Sequence, residues 1–569
     1  MSHYSKNFDF LKEQHEFNLS RLIVICVCIS LGYIILVIRL FYITTIEHNF
    51  WLDKRDKRFI YQSPNVLKRI DIVDKNNYPL AINIPLYSVG WYTSYKNKIT
   101  NSDVVILKDF LDLPDLKLEN LISSQKKFIP LKRKIQLTEE QCSVIKKIKG
   151  IQLTIEDKRY YPLADVVSQL IGFTDIDNQG IDGLEQDIEY KSYFLKKNDI
   201  FYKDSKNRII KKLTEINRDD QKNIRITIDS RAQSIIYKFL KESFQNQEVD
   251  SLSAVLVNIN DASVAAALSY PSFNPNQALH YNSSYKLKPL VENYEPGSVM
   301  KPFSVACILN SNDDARYFST DIQNGFMMLD GHKISDVHHR EFLTLEDILI
   351  YSSNVGLTKL LQKNKEFCNL HECLKNFGFN EYSGIEMKSE SHPIYPLKIK
   401  KGSFPEATLS FGYGLQTNLF QLAKAYTSFA SKGSLRDLTI FEENIQKNKE
   451  NQREAISYQT AEEIVEILGQ VVSKGSAKGA YLKEYQVGGK TGTAKKVGIH
   501  GYEDKYHSFF AAIFPLESPQ YVLVIHADNP KGKIYGGQVC APIAKKIIPY
   551  LMSLSKNPTY YSNNVFDKR

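Results

Sequence analysis

Cysteine is scarce in this chain, and its spacing is irregular. Two of the seven cysteines lie in an apolar run near the N-terminus and five are scattered: Cys26 and Cys28, then Cys142, Cys307, Cys368, Cys373 and Cys540. This spacing is typical of neither a disulfide framework nor a zinc site. Cys368 and Cys373 could pair in an oxidising compartment, but we expect two unpaired, small apolar side chains.

Long basic blocks are missing too, although the formal net charge is +9. Lysine is abundant along the whole chain together with asparagine, isoleucine, tyrosine and phenylalanine, which indicates a compositional bias rather than a surface for an anionic partner. The sequence has no internal repeat, heptad run or glycine-rich phosphate loop. We therefore expect no nucleic-acid partner. The apolar fraction of 43% is ordinary for globular protein.

Charge is absent from one segment, which runs from Leu22 to Ile38. With the following RLFYITTI it is long enough to cross a bilayer, with Arg39 near the far interface. No small-x-small cleavage site follows, so the sequence favours an uncleaved anchor over a cleavable signal peptide. Basic residues flank both ends, and the positive-inside rule therefore leaves the orientation open.

The composition changes again near residue 223. Between residues 57 and 223, short alternating runs mix with charged helical stretches, which predicts an α+β region. The stretch NIRITIDSRAQS (223–234) then predicts a strand followed by a helix capped by Asp229 or Ser230. We expect a second domain to begin there.

Strand patterns occupy both ends of this second domain. SAVLVNIND and SVAAALSYP predict a hairpin, and YQVGGKTGTAKK, SFFAAIFPL and QYVLVIHAD predict three strands closed by a helix in APIAKKIIPYLM. Helical patterns between them cover Ser298 to about Leu309, Thr344 to Leu361, and Thr417 to Ala430. This order predicts one antiparallel sheet assembled from both ends of the domain.

The stretch YEPGSVMKPF (294–303) fixes the conformation around one serine. Pro302 cannot lie deep inside a helix, so the helix must begin at or just before Ser298. The unpaired N–H groups and positive dipole of a helix start favour an oxyanion there, and Lys301 falls on the same helical face. Taken alone, a capping serine beside a surface lysine is the commoner meaning.

Two further polar patterns follow. YSSNVGLTKL gathers Ser352, Ser353 and Asn354 at the end of a predicted helix, where a capping or loop role is the simpler explanation. In VGGKTGTAKK (487–496) three glycines bare the backbone of a strand, as expected if an extended ligand adds to its edge. Lys490 and its neighbouring threonines would then supply a cation and two hydroxyls for a carboxylate.

Together these patterns have the order found in penicilloyl serine transferases: Ser-x-x-Lys at a helix start, then Ser-x-Asn, then Lys-Thr-Gly on a late strand. Over nearly its whole length the chain resembles class B penicillin-binding proteins, and within them the division-specific FtsI type, penicillin-binding protein 3. Four stretches resemble this subtype in particular: YEPGSVMKPF, SSNVGLTKL, KTGTAKKVG and KIYGGQVCAPI. The stretch VLKRIDIVDKNNYPLA departs from the family and keeps only Asp74 and the final Leu-Ala of its usual motifs.

The resemblance implies an α+β fold with a single transmembrane helix, an elongated α+β pedestal and a transpeptidase domain similar to serine β-lactamases, an antiparallel sheet flanked by helices. We place a cytoplasmic tail at 1–21, the anchor at 22–42, a periplasmic pedestal or dimerisation-like domain at 43–223, the transpeptidase domain at 224–554 and a flexible tail at 555–569. The periplasmic placement follows because the substrate of such enzymes lies outside the cytoplasm.

The resemblance also implies residue roles. Ser298 would attack the carbonyl between the two terminal D-alanines of a stem peptide, with Lys301 as general base and Lys490 lowering the pKa of that base. Ser352 would pass a proton to the departing nitrogen, and Asn354 would hold the substrate amide.

The strand would complete the site. Thr491, Gly492 and Thr493 would line the substrate and bind its carboxylate, and the backbone N–H groups of Ser298 and Thr493 would form an oxyanion hole. A second stem peptide would then take the acyl group, without metal or organic cofactor, and β-lactams would acylate the same serine. Membrane partners implied are a polytopic glycosyltransferase and other division proteins.

Other functions share these motifs. A serine β-lactamase would be shorter and soluble, with a glutamate for deacylation that the sequence does not reveal. An elongation-specific class B transpeptidase differs only in the subtype motifs, and a catalytically weak penicillin-binding scaffold or sensor would keep the fold without turnover.

Overall fold

A computed structural model describes residues 19–62, 66–113, 115, 117–190, 194–197, 200–203, 209–212, 223–277, 285–322, 325–337, 340–498 and 501–556. Most of the predicted cytoplasmic tail (1–21) and of the predicted C-terminal tail (555–569) lies outside these residues. Contacts group the chain into two units, Met1–Lys68 with Leu195–Asp220 and Arg69–Phe194 with Gln221–Arg569.

The first half of the chain contains the following elements: α1 Leu19–Phe41, α2 His48–Phe59, β1 Ile60–Gln62, β2 Val66–Arg69, β3 Ile72–Val73, β4 Pro79–Tyr92, α3 Asn101–Leu111, α4 Leu118–Ser123, β5 Phe128–Ile135, α5 Glu139–Ile145, β6 Ile151–Tyr160, α6 Ser168–Ile171, β7 Phe173–Thr174, β8 Gly180–Asp182, α7 Gly183–Tyr190, β9 Phe194–Lys197, β10 Ile200–Lys203 and β11 Ile209–Lys212.

The second half continues with β12 Ile224–Arg225, α8 Ser230–Asn246, β13 Ser251–Asn258, β14 Ser263–Tyr270, α9 Lys288–Val291, α10 Lys301–Ser311, β15 Ser319–Asp321, β16 Phe326–Leu329, β17 His332–Ser335, β18 Phe342–Thr344, α11 Leu345–Ile350, α12 Asn354–Lys363, α13 Leu370–Asn376, α14 Phe404–Ser410, α15 Leu419–Ala430, β19 Ser434–Leu435, α16 Ile445–Glu450, β20 Arg453–Glu454, α17 Tyr458–Ser473, β21 Gly488–Gly498, β22 Gly501–Phe514, β23 Tyr521–Asp528 and α18 Gly536–Lys556.

The apolar segment near the N-terminus is helical and belongs to the first unit. Within the helical stretch Ser20–Ile46, an 18-residue window has a mean hydropathy of 2.7, and none of that window is buried within the structure. Its length and composition fit a single-pass membrane anchor. The same unit contains an antiparallel sheet of β1, β10 and β11.

The second unit begins with a sheet built around the long strand β4. The strand order is β12-β3-β4-β5, and β6 also pairs with β4. Trp91 on β4 is fully buried beside α3 and α5, in a small core that includes Leu107 and Ile145. Because β12 pairs with β3, the strand that opens the predicted second domain completes the sheet of the first.

Charged residues are buried where this sheet meets α7. Arg69 and Arg159 both pair with Glu185, each at 2.6 Å, and all three side chains are almost completely inaccessible. Asp74 accepts hydrogen bonds from the backbone N and the hydroxyl of Ser230, at the start of α8. The sequence singled out only Asp74, since the partners of the buried arginines lie far away along the chain.

A five-stranded antiparallel sheet, in the order β14-β13-β23-β22-β21, forms the centre of the second unit. The predicted hairpin is confirmed as β13 and β14, and the sheet is assembled from both ends of the domain as predicted. Helices α8 and α18 pack together against it, as do α15 and α17. Residues 251–257 on β13 are all buried, which means that both faces of the sheet are covered. The predicted α+β class is confirmed.

Helix positions agree with the sequence pattern except at two places. The helix predicted from Ser298 begins as a 3₁₀ turn, Gly297–Met300, and becomes α-helical only at Lys301. The helix predicted from Thr344 to Leu361 is two helices, α11 and α12, separated by Ser352 with φ of 60°. A residue in the left-handed conformation ends a helix, and the spacing of apolar residues in the sequence does not show where such a residue lies. Asp229 caps α8, as predicted.

Two cysteines form a disulfide that the sequence analysis did not predict. Cys307 on α10 is bonded to Cys373 on α13 across 66 residues, so the expectation that Cys373 is unpaired is wrong. Cys368 is free and buried, as expected. The pairing depends on the packing of α10 against α13, which brings together residues that are distant in sequence.

Removing this disulfide should destabilise the fold. For a closed loop of this length, the double variant Cys307→Ala/Cys373→Ala is expected to lose about 4 kcal/mol of unfolding free energy, because the unfolded chain gains entropy. Denaturant titration measures the loss. A reducing agent should lower the midpoint of the wild type and leave the variant unchanged; equal sensitivity of both proteins would contradict the assignment.

Candidate active site

Ser298 lies in the tight turn that precedes α10. Gly297, with φ of 59°, opens this turn, and Ser298 itself is half-buried. Behind it, residues 301–309 of α10 are all buried, and Phe303 contacts the rings of Phe377 and Phe429. The serine is therefore a partly accessible residue on a rigidly packed element.

The turn presses directly against β21. A Cβ on Gly492 would lie 2.7 Å from the carbonyl oxygen of Pro296, and one on Gly297 would lie 3.0 Å from that of Thr493. These contacts show that position 492 has no room for a side chain because the turn packs closely against it. The sequence analysis had instead explained this glycine by a ligand lying against a bare backbone. β21 is the outer strand of its sheet, so its free edge still allows an extended ligand to pair with it.

Three polar side chains from distant elements converge beside the turn. Lys301 Nζ donates to the backbone oxygen of Ser352 at 2.6 Å and to its Oγ at 3.2 Å. Lys490 Nζ donates to the same Oγ at 2.8 Å. Ser352 thus connects the two lysines, and its left-handed conformation places both its carbonyl and its hydroxyl within reach.

Both lysines are fully buried, and this changes their acidity. Burial lowers the pKa of Lys301 to about 7, against an opposing contribution from Asp336. Burial, and then the charge of Lys301, lower the pKa of Lys490 well below its usual value. Burial is therefore the main cause for Lys301, whereas the sequence analysis named Lys490. At neutral pH a substantial fraction of Lys301 is the free amine.

The predicted contact between Ser298 and Lys301 is not a hydrogen bond in this structure. Among the described residues, no hydrogen-bond partner of the Ser298 hydroxyl is found, and Lys301 Nζ is directed to Ser352 instead. Catalytic hydrogen bonds often form only in the substrate complex, so the free hydroxyl remains compatible with a nucleophile.

Asp336, which the sequence analysis did not place in the site, holds the start of α12. Its carboxylate accepts from Ser353 Oγ at 2.5 Å and from the backbone N of Asn354 and Val355, at 2.5 and 3.0 Å. Asn354 Nδ2 also donates to the backbone oxygen of Ser335. Asp336 thus caps α12, and its negative charge also raises the pKa of Lys301. Only folding brings Asp336 close to these groups.

Replacing Asp336 by asparagine should shift the pH dependence of the site. The carboxylate favours the charged form of Lys301, so Asp336→Asn is expected to lower the pKa of Lys301 further. The acid limb of the rate of acylation by penicillin should then move to lower pH, as measured between about pH 5 and 9. Movement to higher pH would contradict this role.

The hydroxyls of the two β21 threonines hydrogen-bond neighbouring segments of the second unit. Thr491 is buried and its hydroxyl donates to Ser476 Oγ at 3.1 Å, whereas Thr493 is half-buried and its hydroxyl accepts from the backbone N of Gly536 at 3.2 Å. Ser476 and Gly536 were not predicted as site residues: Ser476 belongs to none of the quoted motifs, and Gly536 lies in KIYGGQVCAPI, to which the sequence analysis gave no role in the site. The structure thus brings all the predicted site residues into one region of the second unit.

Comparison with known proteins agrees with this geometry. Residues 252–549 match the penicillin-binding protein transpeptidase domain, and residues 65–226 match the penicillin-binding protein dimerisation domain. The chain is 32% identical over 551 residues to peptidoglycan D,D-transpeptidase FtsI of Buchnera aphidicola, covering 94% of this chain and 95% of that protein. It is 30% identical over 546 residues to FtsI of Escherichia coli K12, covering 94% and 91%.

The fold also resembles solved structures. Penicillin-binding protein 3 of Mycobacterium tuberculosis, crystallised with ampicillin, superposes with a TM-score of 0.63 at 20% identity, covering 87% of this chain and 96% of that one. At this identity the likeness concerns the fold alone.

Proposed function

The chain belongs to the class B penicillin-binding proteins, and we propose that it is a septal peptidoglycan D,D-transpeptidase that acts through an acyl-enzyme on Ser298. The observation that carries the proposal is the convergence of Lys301, Ser352 and Lys490 beside the turn that holds Ser298. The full-length similarity to proteins named peptidoglycan D,D-transpeptidase FtsI supports the reaction and the septal role.

Acylation begins when Ser298 Oγ attacks the carbonyl carbon of the penultimate D-alanine. The proton of the hydroxyl passes to the free amine of Lys301, whose burial keeps that amine available at neutral pH. The substrate must first turn the serine hydroxyl toward Lys301, because Lys301 hydrogen-bonds Ser352 in the free protein.

The developing negative charge is stabilised by the backbone N–H groups of Ser298 and Thr493, each contributing about 3 kcal/mol by analogy with measured oxyanion holes. Close packing between the turn and β21 holds these groups near each other. Hydroxyls of Thr491 and Thr493 bind the terminal carboxylate beside Gly492. That carboxylate favours the charged form of Lys490, which in turn favours the neutral form of Lys301.

The tetrahedral intermediate then collapses. The C–N bond to the terminal D-alanine breaks, and Ser352 passes a proton from the lysine pair to the departing nitrogen while Asn354 holds the substrate amide. An ester on Ser298 remains. The amine of a second stem peptide attacks this ester, loses its proton to the site and forms the crosslink. A β-lactam acylates Ser298 in the same way, but its leaving group stays attached.

The compartment follows from the same proposal. The disulfide between Cys307 and Cys373 supports an oxidising compartment such as the periplasm, with the N-terminus in the cytoplasm. We propose a pedestal at 43–223, a transpeptidase domain at 224–554 and a polytopic glycosyltransferase as membrane partner.

A crosslinking assay tests the function. Full-length protein in detergent, supplied with newly polymerised, uncrosslinked glycan strands, should release D-alanine and form dimeric muropeptides, which mass spectrometry detects. A Ser298→Ala variant should form none. Release of D-alanine without dimers would indicate a carboxypeptidase and would contradict the proposal. A fluorescent fusion that marks the lateral wall rather than the division site would contradict the septal role.

A further inference from the structure

A buried cluster of metal-ligating side chains lies behind the nucleophile turn and has no part in the mechanism above. It consists of His507 on β22 with His526 and Asp528 on β23. His507 is paired with Asp528 across the two strands, and Phe509 is paired with His526. The three side chains therefore occupy one face of the central sheet at neighbouring positions, and the register fixes them.

The spacing of the donor atoms fits a small divalent ion. His507 Nδ1 lies 3.0 Å from His526 Nε2 and 3.5 Å from Asp528 Oδ1, and the three ligand atoms all lie within 4.8 Å of one another. Metal–ligand bonds of 2.0–2.2 Å in a tetrahedral site place ligand atoms roughly 3.3–3.5 Å apart. Only small shifts of the two rings are needed, and a water molecule would complete the coordination.

The two imidazoles hydrogen-bond each other through the nitrogens that would ligate an ion, so a bound ion would replace this hydrogen bond. His526 is fully buried, and its Nδ1 has no hydrogen-bond partner among the described residues. This Nδ1 is not the donor that faces the cluster: His526 Nε2 is the atom that meets His507 Nδ1, so the site rests on Nε2. His507 and Asp528 remain slightly accessible, which gives an ion a path into the cluster.

A lysine side chain would compete with a bound ion for the carboxylate of Asp528. Lys496 Nζ lies 2.7 Å from Asp528 Oδ1, and Lys288 Nζ lies 4.0 Å from Oδ2. Glu292 faces Lys288 at 3.8 Å and accepts a hydrogen bond from Tyr294, whose ring packs on His526 with centroids 4.3 Å apart. A divalent ion at the cluster would share Asp528 with Lys496, which then becomes an outer partner of the ligating carboxylate.

We propose that His507, His526 and Asp528 form a binding site for a divalent transition metal of the zinc class, positioned behind Tyr294 and the turn that holds Ser298. Imidazole nitrogens and a carboxylate are the ligands that Zn²⁺ and Co²⁺ prefer in this geometry. Binding joins two adjacent strands to each other, so the bound ion should stabilise the sheet.

The test uses full-length protein without a histidine tag and Co²⁺ as the probe, since its visible absorption reports coordination. We expect one Co²⁺ per chain with the intense bands of a four-coordinate ion, displaced by Zn²⁺, and a Tm that rises with Co²⁺ until the site is full. His507→Gln should abolish both effects. The control His392→Gln, which removes a histidine outside the cluster, should leave them intact.

A variant that binds the metal more tightly provides a second test, because a misfolded protein would not gain affinity. Lys496→Met removes the competing charge from Asp528 and should tighten Co²⁺ binding at least about tenfold. Labelling of each variant by fluorescent penicillin confirms that it is folded. Absence of stoichiometric Co²⁺ binding, binding that survives His507→Gln, or binding not tightened by Lys496→Met would each overturn the proposal.

Discussion

Replacing Lys301 by methionine is expected to slow acylation by penicillin by about 10³-fold, because a positioned general base contributes on this scale. Lys301 is fully buried, and its pKa of about 7 makes the free amine available at neutral pH. Methionine has a similar length and places no charge in the interior, so the variant should be at least as stable as the wild type. Stopped-flow measurement with a fluorescent penicillin gives the rate.

The pH dependence separates a base from a merely structural lysine. As pH rises through about 7, Lys301 loses its proton, so the wild-type acylation rate should rise and then level off. Lys301→Met should lack this rise. The control Lys359→Met, on the neighbouring helix α12, should keep both the rate and the profile. A variant at position 301 with a near wild-type rate would exclude Lys301 as the base.

Replacing Ser352 by glycine should separate catalysis from stability. The hydroxyl of Ser352 accepts from both Lys301 and Lys490, so its loss is expected to lower the acylation rate by about 10²-fold. Ser352 has φ of 60°, which glycine adopts without strain, and the unfolding free energy should therefore change little. Acylation kinetics and denaturant titration measure the two effects.

Two neighbouring substitutions give contrasting controls for this experiment. Ser352→Ala should lose the same activity, and its unfolding free energy should stay close to that of the wild type, because alanine carries the same Cβ as serine at that φ. Ser353→Ala should show the reverse pattern, since Ser353 caps α12 and its loss costs about 1 kcal/mol of stability with a smaller kinetic effect. If Ser352→Gly kept full activity, Ser352 would have no place in the proton path.

The sequence predicted the elements that local patterns determine. Strand alternation located the hairpin β13–β14 and the three late strands, and the proline at 302 limited where the helix next to Ser298 begins. The order of the three motifs along the chain predicted that Ser298, Lys301, Ser352 and Lys490 belong to one site, as in the family that the chain resembles.

Features that depend on contacts between distant segments were not predictable. Asp336 reaches α12 only through folding, and Cys307 meets Cys373 only because α10 packs on α13. The break at Ser352 has no apolar signature, since a serine in the left-handed region looks like any serine in sequence. Gly492 was predicted to leave its backbone open to a ligand, whereas in the structure the carbonyl oxygen of Pro296 packs closely against it.

A covalent adduct on Ser298 tests the proposed acyl-enzyme most directly. Full-length wild type and Ser298→Ala would be incubated with a fluorescent penicillin, chased with unlabelled drug and followed by intact mass. If Ser298 is the acylated residue, we expect a stable adduct of one penicilloyl group on the wild type and none on the variant. An adduct that persists on Ser298→Ala, or no adduct on the folded wild type, would contradict it; an adduct lost rapidly in the chase would indicate a β-lactamase instead.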